Sequence, residues 1–301
     1  MLDEIPKKLD TPDSLRIAAS QKNLVPFIGA GVSKLAGYPN WDEFANAALM
    51  FFVKHEKFSH AQFDQISKLP SRVKLSLAVD LEKRHELTIQ FEEILQPTQD
   101  KKPLGDEVYG NLLKLSQFSE TFLTTNYDKE LDEISPAILS TYEKDKSIIE
   151  TIEPPCPIYK LSEINVSSLA VPNAVIHVHG SVQNRDSLVL TTSDYLERYY
   201  GHRVEGQDVI ENPFLTFLRE LFESGNVIFI GYGLNELEVL EYVIQKGIEK
   251  PSSNATVVRE AARHYVIQGF FSHELELARS LESYFLSFGI KLLPFSLDEH
   301  G

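Results

Sequence analysis

Cysteine is almost missing from this chain: Cys156 stands alone among 301 residues. A single thiol excludes an internal disulfide, and with no CxxC pair it excludes a cysteine-held structural zinc. The expected compartment is therefore reducing and cytoplasmic. Long apolar runs are missing too. None reaches the roughly 18 residues that a membrane-spanning helix needs. The opening MLDEIPKKLD is charged and carries Pro6, so it has neither signal-peptide nor anchor character. Positive charge is in deficit, with 29 Lys and Arg against 44 Asp and Glu and a formal net charge of -15. Such a surface repels phosphate backbones and argues against nucleic-acid binding, though not against a local pocket for one dinucleotide. No HExxH, GxSxG or GxxxxGK[ST] run occurs. Zinc-peptidase, serine-hydrolase and P-loop chemistries lose their motifs, and no metal is expected.

What is present is core-forming material: 43% hydrophobic residues, with 18 Phe and 12 Tyr. Short apolar, β-rich runs alternate with segments of helical period. Strands are predicted at Leu24 to Ile28, Thr121 to Thr125, Ala137 to Thr141, Ala174 to Val178, Leu188 to Leu190, Asn226 to Ile230, His264 to Ile267 and Ile290 to Leu293. Helices are predicted from Asp13, Trp41, Leu104, Pro213, Asn235 and Glu274, with one around Asp194, while the prolines of Thr151 to Pro157 mark a loop. Strands that are apolar throughout belong to a parallel sheet covered on both faces. The expected fold is therefore α/β: a doubly wound, mostly parallel Rossmann-like sheet of about six strands. Residues 40–119 interrupt the alternation and read as a helical insertion after the first strand, within one domain over 1–301.

The polar motifs sit just past strand ends, the edge where open parallel sheets bind ligands. Gly29-Ala30-Gly31 follows the first strand. Glycine there permits a tight turn and lets backbone N–H groups approach a pyrophosphate, or simply serves the geometry of the turn. A full GxGxxG would need a third glycine where Lys34 stands. Thr124-Thr125-Asn126-Tyr127-Asp128 ends the second strand, His179-Gly180 follows AVIHV, and Gly231-Tyr232-Gly233-Leu234-Asn235 follows NVIFI.

Taken in order, these motifs resemble the signatures of the sirtuin family. The first is Gly29-Ala30-Gly31-x-Ser33-x-x-x-Gly37-x-Pro39, the second the TxNxD run ending at Asp128, the third His179-Gly180, and the last the late glycine turn. The resemblance runs from about Gln21 to Leu293, apart from the insertion. Two departures matter. Asn40-Trp41-Asp42 stands where deacylases carry Asp-Phe-Arg, and their four-cysteine zinc ribbon has no counterpart here. Both count against protein deacylation. The chain instead resembles the sirtuin-like NAD-hydrolysing domains of bacterial anti-phage defence proteins. That resemblance implies NAD as substrate, an assembly of four or more copies, and an N-terminal effector joined to a C-terminal sensor region.

Breaking the nicotinamide–ribose bond develops oxocarbenium character, and the leaving group is already cationic, so no general acid is needed. Orientation of the ribose and delivery of water remain. Asn126 offers a carboxamide that can both donate and accept, and the resemblance assigns it the ribose hydroxyls or the water; an alternative role is capping the segment that follows. His179 is the candidate general base, because imidazole titrates near neutrality. His177, two residues earlier, is expected on the same strand face and reads as a supporting histidine. Asp128 is expected at the nicotinamide carboxamide or steadying Asn126, with a helix cap as the alternative. Gly29, Ala30, Gly31 and Ser33 are expected at the phosphates or a ribose, and Gly231, Gly233 and Asn235 at the adenosine side. Trp41 could wall the pocket or join the core. Asp194-Tyr195 matches a family pattern without a chemical role. A binding module that senses NAD or ADP-ribose without turnover is the competing reading.

Overall fold

The computed structural model describes residues 2–133, 154–199, 212–233 and 262–298. Seven strands form one sheet: β1 (Leu24–Ile28), β2 (Thr121–Thr124), β3 (Cys156–Ile158), β4 (Ala174–His177), β5 (Asn226–Ile230), β6 (His264–Phe270) and β7 (Ile290–Ser296). Their order is β3-β4-β2-β1-β5-β6-β7, and every pairing is parallel. The helices are α1 (Asp13–Ser20), α2 (Ala30–Leu35), α3 (Trp41–Lys54), α4 (His60–Ile66), α5 (Ser71–His85), α6 (Phe91–Ile94), α7 (Lys102–Leu113), α8 (Thr192–Tyr199), α9 (Pro213–Ser224) and α10 (Leu275–Leu286).

Alternation along each strand divides the core between two faces. Ile28, Phe122 and Val175 point to a cluster shared with Phe44, Leu49, Phe52 and Tyr109 of the helices that follow β1. Phe27, Leu123, Ile176 and Phe229 point to the opposite cluster, which holds Phe214 and Phe217 of α9 and Phe285 of α10. The sheet is thus the Rossmann-like α/β architecture expected, with seven strands rather than about six.

Two local expectations fail. Cys156–Ile158 is an edge strand paired to β4, although its prolines read as loop. Pro157 is tolerated because an edge strand has one side without a ladder partner. Leu188 to Leu190 forms no strand; the Val189 N–H donates to the His179 carbonyl in the β4 turn at 2.9 Å. The predicted strand at Ala137 to Thr141 and the predicted helix from Asn235 lie outside the described residues.

The residues standing in place of Asp-Phe-Arg serve the helical layer. Asn40 caps α3, its Oδ1 accepting from the Asp42 and Glu43 amides at 3.0 Å each while Glu43 returns a bond to the Asn40 N–H at 2.8 Å. This reciprocal box satisfies donors that a helix start leaves open. Asp42 pairs with Lys74 of α5, whose fully buried ammonium also donates to Asn46 Oδ1 at 2.8 Å and to the Ser67 carbonyl at 3.1 Å. Among the described residues, no helix is long and apolar enough to cross a membrane.

Candidate functional site

The turns after β1, β2, β4 and β5 meet at one edge of the sheet, flanking the place where chain order reverses from β2 on one side of β1 to β5 on the other. The β1 and β5 turns touch directly. Gly29 N–H donates to the Ile230 carbonyl at 2.9 Å and Gly31 N–H to the Gly231 carbonyl at 2.7 Å. A Cβ on Gly31 would lie 2.7 Å from that carbonyl oxygen. Glycine at Gly31 is therefore required by the meeting of two backbones, and the amides of Gly29 and Gly31 are spent on β5 rather than presented to a ligand. Ala30, the first residue of α2, is exposed, as is Gly233. Asn235 lies outside the described residues.

Asn126 is held at three points. Its N–H donates to Thr124 Oγ1 at 2.9 Å, its Nδ2 to the Gly29 carbonyl at 3.1 Å, and its own carbonyl faces His177 Nδ1 at 3.2 Å. Its Oδ1 is buried and has no hydrogen-bond partner among the described residues. Leaving such an acceptor unmet costs about 1–3 kcal/mol. Asp128, also buried, accepts from Ser33 Oγ at 2.6 Å, Tyr109 OH at 3.0 Å and the Glu130 amide at 3.2 Å. Burial raises its pKa against those stabilising bonds. Ser33 and Asp128 thus engage each other, and Tyr109 of α7 ties them to the helical layer. Beside Asp128 lies a cavity of about 230 Å³ lined by Tyr38, Leu95, Lys102, Glu130 and Val182. Ligand pockets usually span about 300–1,000 Å³, so this space suits one ring or one phosphate rather than a whole dinucleotide.

β4 ends at His177, and Val178 and His179 already belong to a turn. Strand alternation therefore stops before His179, and the two histidines do not share surroundings as expected. His177 meets Asp132 and Asn126, whereas His179 sits in an aromatic cage of Tyr127, Tyr195 and Tyr199. His179 Nε2 lies 2.7 Å from Tyr199 OH. Burial, then the nearby charges of Arg198 and Arg72, pushes the His179 pKa down to about 3. The ring is neutral at physiological pH, an acceptor or donor rather than a cation.

Tyr199 and Arg198 come from α8, the segment whose Asp194-Tyr195 pattern had no role in the sequence. Asp194 starts the helix by accepting from the Leu190 and Thr191 amides at 3.0 and 2.7 Å. Arg198 is 3% exposed, rests 5.1 Å over the Phe214 ring, and its Nη1 finds no partner among the described residues. Asp132, Tyr109, Tyr199 and Arg198 were not singled out in the sequence; only Tyr199 and Arg198, inside TTSDYLERYY, lay near a noted pattern. Trp41 stacks on Tyr127 with ring centroids 5.4 Å apart, joining core and site.

His179 and His264, whose pKa is pushed down to about 4 mainly by burial, stay neutral when folded but gain protons when unfolded below about 6.5. The unfolded state binds more protons, so stability falls as pH drops below that value and the loss grows until the folded pKa is reached. Between about pH 7 and about pH 5 each is expected to remove about 2 kcal/mol, read from denaturant midpoints, and His264→Gln should flatten that slope. Arg198→Met keeps an apolar chain beside Phe214 and removes a buried guanidinium whose Nη1 has no partner among the described residues. Stability is expected to rise by about 1–3 kcal/mol, with an NMR titration of His179 moving upward.

A parallel α/β sheet with TTNYD, HG and GYG turns along one edge defines a SIR2-like domain. Residues 120–288, more than half of the chain, match the family of that description, and the chain belongs to it. Domains of this family use NAD. Over 234 residues the chain is 24% identical to a Bacillus subtilis protein named Defense-associated sirtuin 2, an alignment covering 74% of this chain and 19% of that protein. The chain thus spans about a fifth of the length of the curated relative it matches.

Proposed function

We propose that the chain is an NAD hydrolase that cleaves the nicotinamide–ribose bond to give nicotinamide and ADP-ribose. The observation that carries this reading is the Asn126 carboxamide. It is pinned by the Gly29 carbonyl, yet its Oδ1 is buried without a partner among the described residues. A folded chain keeps such an acceptor unmet where a ligand hydroxyl or a water is to be bound. Asn126 would hold that group, and the neutral His179 ring, set by Tyr199, would take up a proton from it. Asp128 would act through the Ser33 turn, which its bonds fix, and the cavity beside it could admit one end of the dinucleotide. Gly29, Ala30, Gly31, Ser33, Gly231, Gly233 and Asn235 would shape the rest of the nucleotide path. Asn126 and His179 follow adjacent strands, and the Tyr127 and His179 rings lie 6.5 Å apart, so both groups can face one ligand.

A non-catalytic NAD or ADP-ribose sensor is the second reading. It is favoured by the engagement of His179 Nε2 and both Asp128 oxygens by protein groups. Nicotinamide release from NAD by the purified chain, beside Asn126→Ala and His179→Ala, separates the two. Turnover lost in both variants supports the hydrolase, and tight NAD binding without any release supports the sensor. Deacylation is disfavoured by the absent arginine and zinc ribbon.

The name of the Bacillus subtilis relative supports a place in anti-phage defence by NAD depletion. On that reading the chain is one domain over 1–301, with 40–119 as its helical insertion, forming the effector part of a longer cytoplasmic protein. It would assemble as a tetramer or larger and answer to a C-terminal sensor region or a partner protein.

A further inference from the structure

We propose that Asp132 and His177 form a buried, hydrogen-bonded pair that positions Asn126, an inference that rests on the hydrolase reading above. His177 is fully buried. Its Nε2 lies 2.6 Å from Asp132 Oδ1 and its Nδ1 lies 3.2 Å from the Asn126 carbonyl. The short Nε2 contact ties the ring to Asp132 and the Nδ1 contact ties it to the Asn126 backbone, so the imidazole is fixed from both sides.

Asp132 is fixed in turn. Its N–H donates to the Lys129 carbonyl at 2.9 Å, and Tyr159 OH, which follows β3, lies 3.0 Å from its other oxygen and 2.7 Å from Gln183 Oε1. The Tyr159 ring also covers His177, with centroids 5.1 Å apart. Tyr159, Asp132 and His177 therefore run as one chain of contacts from the sheet edge to the Asn126 backbone. At Asn126 the remaining bonds, to Thr124 Oγ1 and the Gly29 carbonyl, orient the carboxamide. The nearest analogy is the hydrogen-bonded carboxylate behind a metal-bound histidine, where removal of the supporting group lowers function without touching the reacting atoms. Asp132 and His177 are positioning residues, since both are buried and reach Asn126 through its backbone carbonyl.

The test uses the whole chain with Asp132→Asn, His177→Phe and Tyr159→Phe. For Asp132→Asn the expected result is a fall in kcat of about 10- to 100-fold, with KM changed by less than about threefold. His177→Phe, which removes both bonds, should fall at least as far, and Tyr159→Phe least. A second measurement follows the Asn126 side-chain amide in proton–nitrogen spectra. It should be sharp and slowly exchanging in the parent chain and broadened in Asp132→Asn. Unchanged kcat in Asp132→Asn, or activity lost only in proportion to unfolded protein, overturns the proposal. If the parent chain binds NAD without releasing nicotinamide, the hydrolase reading fails by itself. The amide signal then decides the pair: broadening retains it as an Asn126 support, and an unchanged signal sinks it.

Discussion

Asn126→Ala is expected to lower nicotinamide release from NAD by about 100-fold or more while leaving the chain folded. The stability side of this expectation comes from two opposed effects. Truncation deletes the bond from Nδ2 to the Gly29 carbonyl, worth about 1 kcal/mol. It also deletes the buried Oδ1 that has no partner, whose burial costs about 1–3 kcal/mol. The net change should run from about zero to about 2 kcal/mol stabilising. A residue whose removal is nearly neutral for folding and ruinous for turnover is one retained for function. Thermal or denaturant unfolding beside the release assay measures both halves. A large loss of stability with proportionate loss of activity would instead make Asn126 a structural residue.

Among the described residues, Gly180→Ala should be the most damaging single added methyl group, costing about 4 kcal/mol or more. Gly180 has φ of +79°, and a Cβ there would lie 2.2 Å from the Ser187 carbonyl oxygen and 2.4 Å from its carbon. Both obstacles are backbone, so no side-chain rotation relieves them. The Ser187 loop cannot retreat freely either, because Ser187 Oγ accepts from the Ser181 amide at 3.1 Å and Val189 N–H holds the His179 carbonyl at 2.9 Å. Pushing the loop away would also strain the bond from Tyr127 OH to the Val189 carbonyl, 2.6 Å long. Gly289→Ala is the control. Its φ is +73°, but a Cβ would meet nothing within 4 Å, so only the left-handed backbone preference, about 1–2 kcal/mol, is at stake. Denaturant midpoints of the two variants should differ by several-fold in their shift, and equal shifts would mean that the Ser187 loop yields.

The sheet and the strand-end motifs could be read from the chain because their signals are local. Apolar β-rich runs such as Asn226 to Ile230 mark buried strands, and Asn126 and His179 are conspicuous where such runs stop. What escaped reading is long-range. Asp132 gains its meaning from His177, 45 positions away, and Asp128 from Tyr109 and Ser33 on two other elements. No spacing rule connects residues whose meeting is set by strand order. Local signals also misled where one effect outweighed another. Prolines hid β3, since an edge position tolerates them, and alternation placed His177 and His179 together although the strand ends between them. The glycines after β1 were expected to serve a ligand. One demand on Gly31 proved to be internal, the carbonyl of Gly231 lying where its side chain would be.

The place of β1 at the middle of the sheet bears on how the protein is made. β1 leaves the ribosome first, yet its partners are β2, nearly a hundred residues later, and β5, about two hundred residues later. Until Ile230 has been synthesised, one side of Leu24–Ile28 offers unpaired amides and carbonyls on an apolar segment, the kind of edge that recruits other chains. Such distant pairings fold slowly and expose the growing chain meanwhile. A product ending before Asn226 would keep that edge open permanently, so premature termination should yield insoluble material rather than a smaller soluble domain.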